Sequence, residues 1–273
     1  MAPHPSQNEL LAPLDPALWR DLHPHLDWVE LPLGAVLYEA GSTLDRVYLP
    51  ATAIVSLVSP MKSGASAEVA VVGREGMVGV CAFMGGGRSL SSAVVQTAGY
   101  GLRMRAVAIN DAAKASPELM QTLLRYTQSL FTQMAQTSAC NRHHELGEQL
   151  CRWLLVNHDR VLGDDLLATH ERIASMLGVR REGISVAALK LQAAGVISYR
   201  RGHITILDRA ALERSSCECY AVIRRAYNHR LPQYACNDDE PEPGSEPAPA
   251  PRGWVPSGRS VRSAAKPEHR LVA

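Results

Sequence analysis

The chain has 273 residues, 46% of them hydrophobic and 20% charged, with a net charge of +1. That composition suits one or two soluble globular domains, and no run approaches the roughly 18 consecutive apolar residues of a membrane helix. The start Met1-Ala2-Pro3-His4-Pro5 has no basic segment followed by an apolar run, so no secretory signal or membrane partner is expected and the reading is cytoplasmic.

Residues 1–30 read as a helical lead-in. From Leu31 to about Arg105 short β-branched and aliphatic runs recur, at 36–38, 46–49, 53–58, 68–72, 93–97 and 101–105. Gly34, Gly41, Pro50, Gly64, Gly73 and Gly76 punctuate them. Short strands with turn signals at this spacing predict an all-β sandwich or barrel over 31–115. A cupin-like metalloenzyme would present histidines on such strands, but none lies between 31 and 105. No Ser-His-Asp or paired-carboxylate set is visible either, so no catalytic residue is assigned and an enzyme is not expected.

The hydrophobic period changes at Ser116-Pro117-Glu118, a helix start with Ser as N-cap, Pro in the first turn and an acid favouring the dipole. Leu123, Thr127, Leu130, Met134 and Thr137 follow at heptad spacing, flanked by Met120, Leu124 and Phe131. Such a seam can pack on its own β domain or pair with a twin helix. The second reading is preferred, because the seam is narrow. Residues 116–142 are therefore a dimerisation helix ending in a hinge at Cys140-Asn141-Arg142. A second helix fits His144 to His158, and His143 and His144 read as solvated rather than as metal ligands.

The most informative stretch is 169–191. Thr169 can cap a short helix with Ile173, Met176 and Leu177 inward and Ser175 outward, and Gly178 stops it in a left-handed conformation. A second helix runs from about Arg180 with Ile184, Ala188 and Leu191 inward. Arg181, Glu182, Ser185 and Val186 then lie at its outward N-terminal end, where a recognition helix meets base edges. Arg can donate twice to guanine and Glu can accept from cytosine, while Arg180 is better placed for a phosphate. Gly195 ends this helix. Val196 to Tyr199 and His203 to Leu207 alternate like strands around Arg200-Arg201-Gly202, a basic-tipped wing able to reach phosphates. Residues 140–232 carry 14 Lys/Arg against 10 Asp/Glu, so positive charge gathers around this double-stranded-DNA reader.

The six cysteines, Cys81, Cys140, Cys151, Cys217, Cys219 and Cys236, contain no CxxC pair and read as free thiols. Cys217-Glu218-Cys219 reads as ordinary residues of a C-terminal helix over 216–232, and no metal site is assigned. The Pro-, Glu-, Ala- and Ser-rich segment 233–273 reads as a disordered tail.

The order of parts resembles the Crp/Fnr family of bacterial transcription regulators. The resemblance covers roughly 15–225 and rests on Leu177-Gly178-Val179-Arg180-Arg181-Glu182-Gly183-Ile184-Ser185 and on Gly195 to Gly202. It also draws on Gly34, Leu37, Gly41, Val47-Tyr48 and Ser116 to Leu119. It implies an α+β chain: a double-stranded β-helix (a jelly-roll-like β-roll) of cyclic-nucleotide-binding type, a dimerisation helix, and a winged helix-turn-helix over 143–215. It also implies a homodimer that binds DNA and RNA polymerase. Arg181-Glu182 matches the cyclic-AMP-responsive branch, and Glu182 with Ser185 matches the oxygen-responsive branch. Both usually place Arg where Val186 stands, which alters the expected half-site.

The resemblance places the effector pocket at Gly76, Met77, Val78, Ser91 and Ser92, with Arg88 three residues upstream. Family members that bind cyclic nucleotides have Glu where Met77 stands and Arg where Ser91 stands. Without that cation a buried phosphate is poorly compensated, so cyclic AMP is not expected and the effector is unknown. The iron–sulfur branch uses N-terminal cysteines, and none precedes Cys81; that cofactor is not expected. A ligand-sensing roll with a vestigial DNA domain is the alternative, opposed by Arg181, Glu182 and the basic wing.

Overall fold

The computed structural model describes residues 4–85, 88–161 and 163–228. The tail expected at 233–273 lies outside these residues, as does the last part of the helix expected at 216–232. No helix among the described residues is long and apolar enough to cross a membrane.

Helix α1 (Pro16–Leu22) starts on Asp15, whose carboxylate accepts from Ala17 N at 2.7 Å. Strand β1 (Asp27–Leu31) then begins inside the expected helical lead-in. The roll continues with β2 (Val36–Tyr38), β3 (Arg46–Pro50), β4 (Ile54–Pro60), β5 (Ser66–Val72), β6 (Ser92–Thr97) and β7 (Gly99–Arg105). These form two antiparallel sheets, ordered β1-β7-β3 and β2-β6-β4-β5. Val47, Leu49, Leu102 and Met104 of one sheet face Val55, Leu57, Ala70, Val72, Ala93 and Val95 of the other in a shared core. Helix α2 (Ala106–Ala115) closes the roll. It falls in a segment read as part of the β domain, and its five alanines explain the helix locally.

Strands β4 and β5 are buried on both faces. Ile54 and Val71 point away from the roll's interior into a second core, shared with the C-terminal half. A register shift between Leu57 and Val58 pairs Leu57 with Ala70 but Val58 with Glu68, so Val69 is the extra residue of a bulge. The bulge reverses the alternation, and Glu68 emerges on the outer face beside Ser56 instead of inside the roll with Ala70 and Val72.

The long helix α3 (Pro117–His143) starts as the sequence predicts, with Ser116 Oγ accepting from Leu119 N at 3.2 Å. Its expected dimer seam must be corrected. Leu123 and Leu130 are fully buried in the chain's own first core, Thr127 is buried beside them, and Met134 packs against the same core. A heptad rule identifies the apolar side of a helix but not the surface that covers it, and here the β-roll does. The heptad left exposed lies one residue on, at Leu124, Gln128, Phe131, Ala135 and Ser138. Leu124 and Phe131 are 53% and 47% exposed. The expected hinge at 140–142 is helical; the break comes at His144, in extended conformation, followed by Glu145 as N-cap of α4 (Leu146–His158).

Helix α4 docks the C-terminal half onto the outer face of β4, β5 and β6 through a buried polar chain. Asn157 Nδ2 donates to the carbonyl of Trp153 (2.9 Å), so its Oδ1 accepts from Gln96 Nε2 (2.9 Å). Gln96 therefore turns Oε1 toward Ser56 Oγ, 2.6 Å away, and Ser56 Oγ lies equally close to Glu68 Oε2. One hydroxyl has one proton. If Ser56 gives it to Gln96, the Glu68 carboxyl must be protonated to donate back to Ser56. Burial pushes Glu68 in that direction, raising it from its ordinary value. Trp153 Nε1 donates to its other oxygen at 3.0 Å.

Two outcomes test this packing. The stability that neutral Glu68 contributes is present below the ordinary carboxylate value and is lost as pH rises through the raised one. Urea midpoints of the wild type should therefore fall relative to Glu68→Gln as pH rises; a rise relative to that variant contradicts a protonated Glu68. Gly76 lies under the fully buried Tyr126, and a Cβ there would sit 2.5 Å from its hydroxyl oxygen. Gly76→Ala should thus cost about 1–3 kcal/mol or more by overpacking, and an unchanged melting temperature contradicts the contact.

Candidate nucleic-acid interface

Thr169 Oγ1 accepts from Arg172 N at 3.2 Å and starts α5 (His170–Leu177). Gly178, at φ 66°, ends that helix as the sequence predicts. Its left-handed conformation is one a Cβ would resist. The chain reverses through Val179 and Arg180 into α6 (Arg181–Ala193). Ile173, Leu177, Ile184 and Ala188 enter the second core with Leu150, Trp153 and Leu154 of α4. The two helices are thus held by the apolar face that the sequence shows, and their other face is free for recognition.

On that face Arg180, Arg181, Glu182 and Val186 are exposed at the start of α6, as is Ser175 on α5. Leu189, one turn beyond Ser185 and Val186, is exposed as well. Arg181 lies 3.9 Å from Glu171 with both side chains exposed, a pair too solvated to hold it. Ser185 differs from expectation. It is half-buried, donates to the Arg181 carbonyl at 3.1 Å and meets His170 Nδ1 at 3.0 Å. With its proton spent on Arg181, Ser185 must accept from Nδ1–H. That leaves His170 Nε2 unprotonated, a buried atom with no hydrogen-bond partner. Burial first, then the Arg181 charge, lowers the His170 pKa and favours this neutral ring. The ring stacks on Tyr199 with centroids 4.0 Å apart. Sequence reasoning missed His170, whose role is visible only once the wing is folded against the helix pair.

The wing is a three-stranded sheet of β8 (Asp165–Leu167), β10 (His203–Ile206) and β9 (Ile197–Arg200), in that order. The outer strand β8 was not expected. Arg200 pairs with His203, leaving Arg201 and Gly202 as a two-residue turn with φ of 49° and 85°. Both values are positive, as a type I′ hairpin requires, and Arg201 bears the strain of a side chain in the left-handed region. The Gly202 carbonyl accepts from Ala168 N at 2.9 Å, tying the turn to the start of α5 beside Thr169. Arg200, Arg201 and His203 are exposed around it.

In the roll, the positions expected to form an effector pocket are occupied by the fold. Met77 and Val78 are fully buried, Met77 in the first core with its carbonyl accepting from Tyr126 OH at 2.9 Å. Ser92 Oγ donates to Glu39 Oε2 and accepts from Ala40 N. Ser91 is buried, with its carbonyl bound by Ser89 Oγ. Arg88 is exposed and bridges Thr43 through its backbone. His143 is exposed, but His144, expected to be solvated, is mostly buried beside Cys140, Cys217 and Cys219.

Comparison with known proteins agrees with this architecture. The cyclic nucleotide-binding domain model matches residues 28–116, and the Crp-like helix-turn-helix domain model matches 148–215. Together they take in more than half of the chain. No curated protein matches it in sequence. FixK2 from Bradyrhizobium japonicum has a similar structure, with TM-score 0.63 and 15% identity over 70% of this chain and 98% of its own. A CRP-family transcriptional regulator from Thermus thermophilus, TTHB099, gives 0.57 and 20% over 69% and 96%. The c-di-GMP-responsive global regulator CLP of Xanthomonas campestris gives 0.56 and 14% over 70% and 99%. At these identities the likeness to the solved structures is one of fold.

Arg201 offers a test of the wing's geometry. Arg201→Gly relieves the left-handed side chain and should raise stability by up to about 1 kcal/mol in urea denaturation; a loss of stability contradicts the turn described.

Proposed function

Because the chain belongs to the Crp/Fnr family of transcription regulators, we propose that it works as a homodimer that reads a two-fold-symmetric DNA site. The observation that carries this reading is the exposed N-terminal end of α6 beside a basic wing tied to the same helix pair. Arg181 and Glu182 are the base-reading residues, Val186 an apolar contact suited to a thymine methyl, and Arg180, Arg200, Arg201 and His203 the phosphate contacts. Ser185 acts through its bond to His170 and the Arg181 carbonyl, which fixes the register of the reading end. Thr169 and Ser175 border the groove.

The second copy meets the exposed heptad of α3, where Leu124 and Phe131 stand unburied at the spacing of a two-helix seam. Contact with RNA polymerase follows from the same family reading. The roll does not take cyclic AMP: Met77 fills apolar core where a carboxylate is needed to hold a ribose, and Ser91 supplies no cation. No iron–sulfur cluster and no catalytic step are assigned to the roll, and its signal is a different one.

Capture of genomic DNA fragments by the purified chain, followed by sequencing, should return a shared motif of two inverted half-sites about 10 bp apart centre to centre. Arg181→Ala should relax one base pair of each half-site, at a cost of about 1–3 kcal/mol. Arg201→Gly should instead weaken binding to all sequences alike and reduce the salt slope by about 1. Fragments without a common motif, or a motif unchanged by Arg181→Ala, contradict the assignment.

A further inference from the structure

Where α3 breaks, four side chains converge that neither the family nor the DNA-binding face accounts for. Cys140 and His144 stand four residues apart at the end of α3. Cys217 and Cys219 stand two apart at the start of α8 (Glu218–Asn228), which follows the short helix α7 (Arg209–Arg214). The sulfur atoms of the three cysteines and a ring nitrogen of His144 all lie within 4.8 Å of one another. Cys140 Sγ and Cys217 Sγ are 3.5 Å apart, and Cys219 Sγ is 3.7 Å from His144 Nδ1. All three cysteines are buried and form a small core of their own.

The separations of 3.5 and 3.7 Å match edges of a tetrahedron around one metal ion, and the others stay within 4.8 Å. With zinc–sulfur bonds of about 2.3 Å and zinc–nitrogen bonds of about 2.0 Å, tetrahedral ligands lie roughly 3.5–3.8 Å apart. A disulfide would need its sulfurs about 2.05 Å apart. An iron–sulfur cluster, with several irons and bridging sulfides, would hold its ligands more widely spread. The set is the size of a single-ion site.

We propose that Cys140, His144, Cys217 and Cys219 bind one zinc ion, which staples α8 to the end of α3. The surrounding groups fit that assignment. Glu218 Oε2 lies 3.3 Å from His144 Nε2, so the outer nitrogen carries the proton and Nδ1 turns its lone pair toward the sulfurs. A carboxylate behind a ligating imidazole is the usual orienting partner. Arg152 is buried and directs Nε at Cys140 Sγ (3.1 Å), with Thr137 Oγ1 and Asn141 Oδ1 as its other partners. Among the described residues no carboxylate pairs with Arg152 at ion-pair distance. Three thiolates around a divalent ion leave one negative charge, and the Arg152 guanidinium balances it. Thiolate ligation releases the thiol protons to water, so binding strengthens as pH rises. Cys217 also lines an open surface cavity with Ser216 and Glu218, which gives an ion a route in.

The ion would act on the elbow between sensor and reader. It would fix α8 beside α3, where Ser129 Oγ already donates to the Ala226 carbonyl at 2.6 Å, and so set the angle at which α4 leaves His144.

The test uses the full chain, reduced and metal-free, titrated with Co²⁺ under anaerobic conditions. The expected result is one Co²⁺ per chain, with thiolate-to-cobalt charge-transfer bands and the intense visible bands of tetrahedral coordination, both abolished by one equivalent of Zn²⁺. X-ray absorption of the zinc form should then give three sulfur neighbours and one nitrogen neighbour. Cys219→Ser and His144→Ala should each lower zinc affinity by at least tenfold, and Cys81→Ser should leave it unchanged. Because a ligand variant can fail to fold, the wild-type spectrum decides. Absent charge-transfer bands, octahedral coordination, or a Cys140–Cys217 disulfide formed in preference to metal binding would overturn the proposal, whatever DNA the chain binds.

Discussion

The ion pair between Arg160 and Glu75 holds the molecule to one arrangement. Arg160 Nε lies 2.8 Å from Glu75 Oε1, and both side chains are almost completely buried. Buried charges are tolerated only when paired and hydrogen-bonded, and removing one partner of such a pair typically costs about 3–5 kcal/mol. The pair is also a junction. Glu75 belongs to the roll and accepts from Gly73 N, while Arg160 follows α4 of the DNA-binding half. Gln133 of α3 accepts from Arg160 Nη2 at 3.3 Å, and Tyr227 of α8 donates to the same Gln133 oxygen at 2.7 Å. Roll, long helix, reader and C-terminal helix thus meet at one point.

The rest of the contact follows from that junction. Once Arg160 is fixed, α4 lies along the outer face of β4 and β5, where Glu68, Ser56, Gln96 and Asn157 complete each other's hydrogen bonds. Ile54 and Val71 then become part of the reader's core although the roll supplies them. Helix α5 is drawn onto the same face, and Arg172 Nη2 donates to the Val95 carbonyl at 3.0 Å. The helix pair that carries Arg181 and Glu182 is therefore mounted on the very sheet whose other face is packed as the interior of the roll.

The parts that were legible in the sequence are those governed by local chemistry. Ser116 as a cap and Gly178 as a stop each depend on a few neighbouring residues and are found where the pattern places them, while the wing turn expected at Arg200-Arg201-Gly202 narrows to Arg201-Gly202 because Arg200 pairs with His203. The winged helix-turn-helix could be read because its two inward faces and its turn signals lie close together along the chain. Long-range packing was not legible. The periodicity of α3 showed an apolar stripe at Leu123, Thr127 and Leu130, but whether a roll or a twin covers it depends on residues far away in sequence. Glu68 was invisible for a different reason: strict alternation puts it inside the roll, and only the bulge at Val69 turns it out. Ser185 looked free because its partner His170 lies on the preceding helix. Cys140 and Cys217, 77 residues apart, share no spacing motif at all.

Everything proposed for function depends on whether this chain distinguishes one DNA sequence from another through the start of α6. Equilibrium binding to a selected site and to a scrambled duplex of equal length and composition, measured across a salt series, tests it most directly. Both affinities should fall with salt while the selected site keeps at least about a 10³-fold preference at physiological ionic strength. Affinities that are equal at every salt concentration and fall together would contradict it.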